Sequence, residues 1–301
     1  MSQPAVYPEA LVVAAGLGLH GYQKGSLSLD GAIAAFAVGY GHLANPLKLF
    51  GVTMIGMYLL GSRATKVKAE VKAKLEDGPD PSKPSGNRNL TQVLSNSLPG
   101  LIAALLYRFG PGGQLSKRSM ILSLHPIARP LMFASLGLNA TILADTLASE
   151  LGILSPTAPR YILNLQPVPP GTNGGVSPLG ILVSVAGGVF MGLIQVVDLL
   201  IENPASRAGG VGWALEIVGL GAALGLAGSL LDSLLGATLQ ISYYDTKEKR
   251  VITDTSEKYA SVRTAEGVKT VGIGSNVLSN SAVNFVCGCA LAGTGWYYGT
   301  L

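Results

Sequence analysis

Apolar residues run along this chain in long blocks separated by short polar breaks, the pattern of buried or membrane-spanning helices. Eight blocks stand out, near residues 8–22, 28–44, 46–61, 90–108, 119–150, 176–200, 211–239 and 276–298. Each is a candidate transmembrane helix, since about 20 apolar residues cross a bilayer. The first two are short and contain glycine, whereas 211–239 is long enough to tilt or to project beyond the hydrocarbon. The stretch "LQISYYDTKEKRVITD" alternates around a polar turn and predicts a small β-hairpin. The expectation is an all-α polytopic membrane protein of seven or eight spans. It forms one membrane domain over 1–301, with a basic linker at 62–89 and a hairpin loop at 240–275.

Composition supports that class. Hydrophobic residues make up 48% and charged residues 13% of the chain, against about 25% charged in soluble domains. Forty glycines predict close helix packing through small residues. Cys287 and Cys289 stand two apart in one apolar block and point in different directions on a helix. They suit neither a disulfide nor a zinc site, and buried inert thiols are expected. The start "MSQPAVYPEA" lacks both a basic signal-peptide onset and the Arg/Ser-rich character of a transit peptide. Insertion through the chain's own spans is therefore expected.

Charge gives sidedness. Arg63, Lys66, Lys68, Lys72, Lys74, Lys83 and Arg88 follow the third block, and Lys247, Lys249, Arg250, Lys258, Arg263 and Lys269 precede the last. With eight spans these fall on one side with Lys24 and Arg160. Lys48, Arg108, Lys117, Arg118 and Arg207 fall on the other, and Arg129 lies within a block. The positive-inside rule makes the richer side cytosolic. All the unusual polar strings fall there too. "GSRATK", "ADTLASELG" and "GSLLDSLLGATLQ" end blocks, while "NRNLTQVLSNS", "GTNGGVS" and "GSNVLSNSAVN" begin them. The string VLSNS occurs twice, at Val93–Ser97 and Val277–Ser281.

The candidate chemistry lies in these strings. Asp145, Glu150 and Asp232 stand within or at the end of apolar helices, where each carboxylate costs up to about 3 kcal/mol unless compensated. A shared Mg²⁺, which favours one or two carboxylates with water and phosphate oxygens, is one compensation; a packed, hydrogen-bonded carboxylate is the other. Ser149 shares a helix face with Asp145. Gly171, Thr172, Asn173, Gly174, Gly175 and Ser177 offer backbone amides before a helix, a composition suited to an anion nest or simply to a turn and N-cap. Arg88, Asn96, Asn280 and Asn284 add donors. Arg63 and Lys66 lie nearest the interface in a run that otherwise reads as solvated. Tyr243 or Tyr244 could stack on a nucleobase if the hairpin is a lid, although a plain surface hairpin is the alternative. His20, His42 and His125 show no ligand spacing.

Taken in order, "GSRATKVKAEVK", "RNLTQVLSN", "ADTLASELG", "PRYILNLQPVPPGTNGGVS", "GSLLDSLLGATLQ" and "SNSAVNF" resemble the blocks of the transmembrane protein 19 family, which includes plant phytyl-phosphate kinase. The resemblance spans roughly residues 45–290. It implies an integral membrane enzyme that converts an isoprenyl monophosphate (phytyl, geranylgeranyl or farnesyl) to the diphosphate with CTP or another nucleoside triphosphate. Relatives often carry an acidic residue near the last block, where this chain has Ser279, Asn280 and Ser281, so metal ligation is confined to Asp145, Glu150 and Asp232, with Glu150 either a third ligand or the partner of a lysine or arginine. Phosphate contacts are expected from Gly171–Ser177, Arg63, Lys66, Arg88, Asn96, Ser149, Arg160, Asn280 and Asn284. Mg²⁺ is the expected cofactor, membrane lipid an expected partner and nucleic acid not one. The endoplasmic reticulum, with the active face cytosolic, is the expected address. A transporter, a scaffold and a cytidylyltransferase-like enzyme are the competing readings.

Overall fold

A computed structural model of the chain describes residues 6–77, 87–117, 120–253 and 256–301. Lys83 and Arg118, and the side chain of Arg263, lie outside the described part. Eleven α-helices are present among the described residues: α1 Pro8–Gln23, α2 Leu29–Leu43, α3 Leu49–Ala64, α4 Ala69–Lys72, α5 Leu90–Ser95, α6 Leu98–Phe109, α7 Ala128–Gly152, α8 Pro178–Glu202, α9 Pro204–Ala208, α10 Gly212–Leu239 and α11 Asn280–Thr300. The protein is an all-α polytopic membrane protein with small strand additions. Each of the eight apolar blocks contains a helix of at least 12 residues.

Helix starts follow local chemistry. Ser28, Ser177 and Ser279 accept a hydrogen bond from the third residue of α2, α8 and α11 respectively, and Asn89 with Gln92 forms a reciprocal capping box on α5. One boundary differs from the sequence reading. The block 119–150 is helical only from Ala128, because Pro126 interrupts the apolar run and Leu122–Leu124 form a separate 3₁₀ turn.

Three helices, α7, α8 and α10, are long and apolar enough to cross a membrane. With 25, 25 and 28 residues they reach about 38–42 Å at 1.5 Å per residue, beyond the roughly 30 Å hydrocarbon core. The helices α1, α2, α3 and α6 have 16, 15, 16 and 12 residues and are shorter than that core. The eight-span expectation thus rests on three full-length apolar rods, with the remaining blocks folded as shorter or less apolar helices.

The rod α7 is central. It packs against α3, α6, α8, α10 and α11, and its side chains from Met132 to Ala144 are buried. Its polar members are satisfied internally: Asn139 donates to the Ser135 carbonyl at 2.7 Å and Thr141 to the Leu224 carbonyl at 3.4 Å. The crossing of α8 and α10 depends on glycine. A Cβ added at Gly192 would lie 2.8 Å from Val218 Cα, and one at Gly225 would lie 2.9 Å from Gly188 Cα. At the end where α8 finishes, Lys117 pairs with Glu202 at 3.0 Å and Arg129 with Glu216 at 2.8 Å.

The opposite end carries six strands. A two-stranded antiparallel pair joins β2, Arg160–Tyr161, to β3, Gly175–Val176. A four-stranded sheet has the order β1-β5-β4-β6, built from β1 Glu76–Asp77, β4 Ser242–Asp245, β5 Arg250–Ile252 and β6 Val268–Val271. The expected hairpin is its β4–β5 core, paired Tyr243 to Ile252 and Asp245 to Arg250. The basic linker contributes β1, parallel to β5, a pairing that brings residues 75 and 251 together.

Candidate functional site

Asp145 and Asp232 each stand seven residues before the last residue of their helix, α7 and α10. That places both carboxyls about 10 Å in from the same end of the bundle, and there they come within hydrogen-bonding reach of each other. Two carboxylates in contact need a proton or a cation between them. They line a cavity of about 690 Å³ that also takes in the Gly171–Ser177 loop, Glu76, Glu150, Ser149 and Asn280.

The lining mixes polar and apolar side chains. Ser184 of α8 and Ser229 of α10 place their hydroxyls 2.9 Å apart, and Ile181, Leu226 and Leu230 continue the lining. Asn284 of α11 approaches Asp232 from another side. With its amide oriented to satisfy both ends, its nitrogen donates to Asp232 Oδ2 at 3.1 Å and to the Asn280 carbonyl at 3.3 Å. Its oxygen then lies 3.1 Å from Asn96 Oδ1, so the Asn96 amide must turn in concert to present its nitrogen as donor. Both VLSNS strings therefore meet Asn284, one through Asn96 at the end of α5 and the other through the Asn280 carbonyl at the start of α11.

Glu150 does not join the pair. Five residues along α7 from Asp145, it points about 140° away around the helix and forms an ion pair with Lys72. Lys72 is buried, and it also donates to the Ala64 and Thr65 carbonyls at the end of α3. No group of three His, Cys, Asp or Glu side chains suited to a metal exists among the described residues. The three-ligand expectation is thus reduced to Asp145 and Asp232. The Arg63–Lys74 run, expected to be solvated, is so only in part, because Lys72 anchors it.

The glycine loop lines the cavity, with three of its backbone amides bonded within the protein. Thr172 donates its N–H to Pro169 at 3.2 Å, Asn173 to Ser242 Oγ at 2.9 Å, and Gly175 to Thr172 at 2.9 Å. Gly171 and Gly174 adopt φ of +86° and +77°, which lets the loop turn tightly beneath the sheet. Ser177 caps α8, accepting from the Gly180 N–H at 3.0 Å, and donates to the Gly152 carbonyl at 3.0 Å. The loop's chief structural work is to join α7, α8 and the sheet.

The expected basic clamps are elsewhere. Arg63 and Lys66 are exposed. The Arg88 backbone ties α5 to the α1–α2 corner through Ser26 and Ser28, and the Arg160 guanidinium donates to the Leu165 carbonyl at 2.9 Å. Among the described residues, no Lys or Arg lines the cavity, while Glu76, Asp145, Glu150 and Asp232 do. Tyr243 is buried with Ile252 and Val262 and meets Tyr259 edge-on at 5.7 Å, and Tyr244 lies beneath Lys269. The ring that reaches the cavity is Tyr259. Cys287 is buried as expected, but Cys289 is exposed on the surface of α11; both are free thiols.

Sequence reasoning missed Glu76, Lys72 and Tyr259. Glu76 is half-buried facing Gly171. Burial, reinforced by Glu150 and opposed by Lys72, pushes its carboxyl up to about 7. No local signal marks these residues, because a charged run reads alike whether it is solvated or folded back.

Two touching carboxylates with nearby hydroxyls, and no Lys or Arg in the described lining, form a donor set that suits Mg²⁺, a hard cation that keeps part of its water. An anion entering this acidic space needs such an ion as its counter-charge.

Against known families, the integral membrane protein DUF92 family matches residues 12–292. The chain belongs to that family. This DUF92 chain is 33% identical to Protein PGR of Arabidopsis thaliana over 282 residues, covering 92% of this chain and 90% of that protein. It is 30% identical to an uncharacterized membrane protein of Methanocaldococcus jannaschii, over 71% of each chain. A third relative, an uncharacterized membrane protein of Synechocystis, is 26% identical over 63% of this chain and 62% of its own. No solved structure matches.

Proposed function

We propose that this DUF92 protein is a membrane-embedded, Mg²⁺-dependent kinase that transfers a phosphoryl group from CTP or another nucleoside triphosphate to an isoprenyl monophosphate. The observation that carries the reading is the Asp145–Asp232 pair, held in one cavity whose lining includes the apolar Ile181, Leu226 and Leu230 and, among the described residues, no Lys or Arg. The resemblance to phytyl-phosphate kinase supplies the substrate class. In the reaction an oxygen of the acceptor monophosphate attacks the γ-phosphorus. The bond to the β-phosphate oxygen breaks, leaving a nucleoside diphosphate and the prenyl diphosphate. The acceptor's second pKa is near 6, so at neutral pH it is already largely ionised and a general base is unnecessary. Asp145 and Asp232 would hold Mg²⁺, which supplies charge neutralisation for the two polyanions. The prenyl chain would run along Ile181, Leu226 and Leu230 towards lipid, and the nucleotide would enter beneath the sheet. The active face is assigned to the cytosol and the membrane to the endoplasmic reticulum.

The depth of the pair, about 10 Å from the helix ends, favours an interfacial enzyme over a transporter, whose site lies near the bilayer midplane. The test is the purified full-length protein incubated with Mg²⁺, γ-labelled CTP and phytyl, geranylgeranyl or farnesyl monophosphate. Labelled prenyl diphosphate is expected, and Asp232→Asn should lower turnover by about 100-fold or more. Absence of transfer to every prenyl phosphate would overturn the kinase reading. Transfer from α-labelled CTP would instead mark a nucleotidyltransferase.

A further inference from the structure

We infer that Asn284 is a positioning residue for the metal-binding carboxylate Asp232, and that Asn96 acts behind it, so that the amides form a relay rather than a pair of phosphate contacts. The inference rests on reading Asp145 and Asp232 as the metal pair. It assigns to Asn96 and Asn284 a role different from the phosphate binding expected of them.

Three observations converge. First, with its amide so oriented, the Asn284 nitrogen lies 3.1 Å from Asp232 Oδ2, and its oxygen lies 3.1 Å from the outer end of the Asn96 amide, which donates to it once the Asn96 oxygen and nitrogen are exchanged too. With both amides turned, both ends of Asn284 are engaged by protein groups. Second, neither Asn96 nor Asn284 lines the cavity, whereas Asp232 does. Third, the three residues come from three separate elements: Asn96 caps the end of α5, Asp232 lies in α10, and Asn284 lies one turn into α11. A hydrogen bond to one oxygen of a carboxylate fixes the plane of the group and leaves the other oxygen directed elsewhere. An amide suits this duty, because it donates without carrying charge and does not titrate. A lysine in its place would neutralise Asp232 and compete with the cation, and a carboxylate would add repulsion to a site that already has two. Outer-shell partners of this type usually change metal affinity or activity by about 10–100-fold when removed.

The test is direct Mn²⁺ binding to the purified full-length protein in detergent, followed by electron paramagnetic resonance without nucleotide or prenyl substrate. Asn284→Ala should weaken Mn²⁺ binding by about 10-fold or more, and Asn96→Ala by a smaller factor. The double variant should be no weaker than Asn284→Ala alone, since removing the second link of a relay costs nothing once the first is gone. If Asn284→Ala fails to fold, as a thermal melt would reveal, Asn96→Ala carries the test by itself. Unchanged Mn²⁺ affinity in folded variants, or effects that add in the double variant, would overturn the relay. So would a wild-type protein that binds no Mn²⁺ at all. A wild-type protein that binds Mn²⁺ through this relay yet transfers no phosphate would refute the kinase reading and leave the relay standing.

Discussion

Glu76 lies outside the membrane-spanning rods, on β1, where its carboxyl is raised from 4.5 to about 7 by burial. Between those two values the folded protein keeps a proton that the unfolded chain has released. Stability from this group is therefore full at low pH and is lost as pH rises through that window. Glu76→Gln preserves shape and keeps the site neutral. Its melting temperature should fall less steeply than the wild type's from about pH 5 to pH 8, with a gain of about 3 kcal/mol at the upper end. Thermal unfolding in detergent across that range checks it; a wild-type curve already flat would remove the assignment. At this scale the sequence was legible where a residue contradicts its surroundings. Asp145 and Asp232 announced themselves as charges in apolar helices. Glu76 and Lys72 did not, because each sits among other charges. For Glu150 a lysine or arginine partner was one of two legible roles, but which lysine was not, since the pair with Lys72 spans 78 positions.

Among the elements, the α8–α10 crossing sets how closely the two Ser-bearing faces approach. Gly225→Val would place a Cβ 2.9 Å from Gly188 Cα, with the added methyls against the backbone of α8. The helices must part, at a cost of about 1–3 kcal/mol, and the Ser184–Ser229 contact should open. The expected result is a lower melting temperature with reduced activity, and a melt equal to wild type would show that the crossing tolerates bulk. Element positions were largely readable from apolar runs and caps, because a helix N-terminus leaves N–H groups that nearby Ser and Asn satisfy. Strands were only half readable. The β4–β5 hairpin is local and signalled itself, whereas β1 has two residues and exists through pairing with a distant partner.

For the whole molecule, the polar strings, the sheet and the cavity share one end, while Lys117–Glu202 and Arg129–Glu216 mark the other. If the first end is cytosolic, topology labelling should divide accordingly. In a background with Cys287 and Cys289 replaced by serine, Glu266→Cys should react with an impermeant maleimide from the cytosolic side. Val211→Cys, at the exposed start of α10, should react only from the opposite side. The reverse pattern would move the proposed active face out of the cytosol.

The chain alone determined that it is a helical membrane protein, where its rods lie and which end gathers polar residues, because hydropathy and charge act over a few neighbouring positions. Only the tertiary structure decided which of those polar residues meet. It paired Asp145 with Asp232, turned Glu150 towards Lys72, left the basic residues of the described part outside the cavity, and folded a linker strand against the β4–β5 hairpin. Those outcomes depend on helix rotation and on contacts between residues far apart in sequence, which no local pattern encodes.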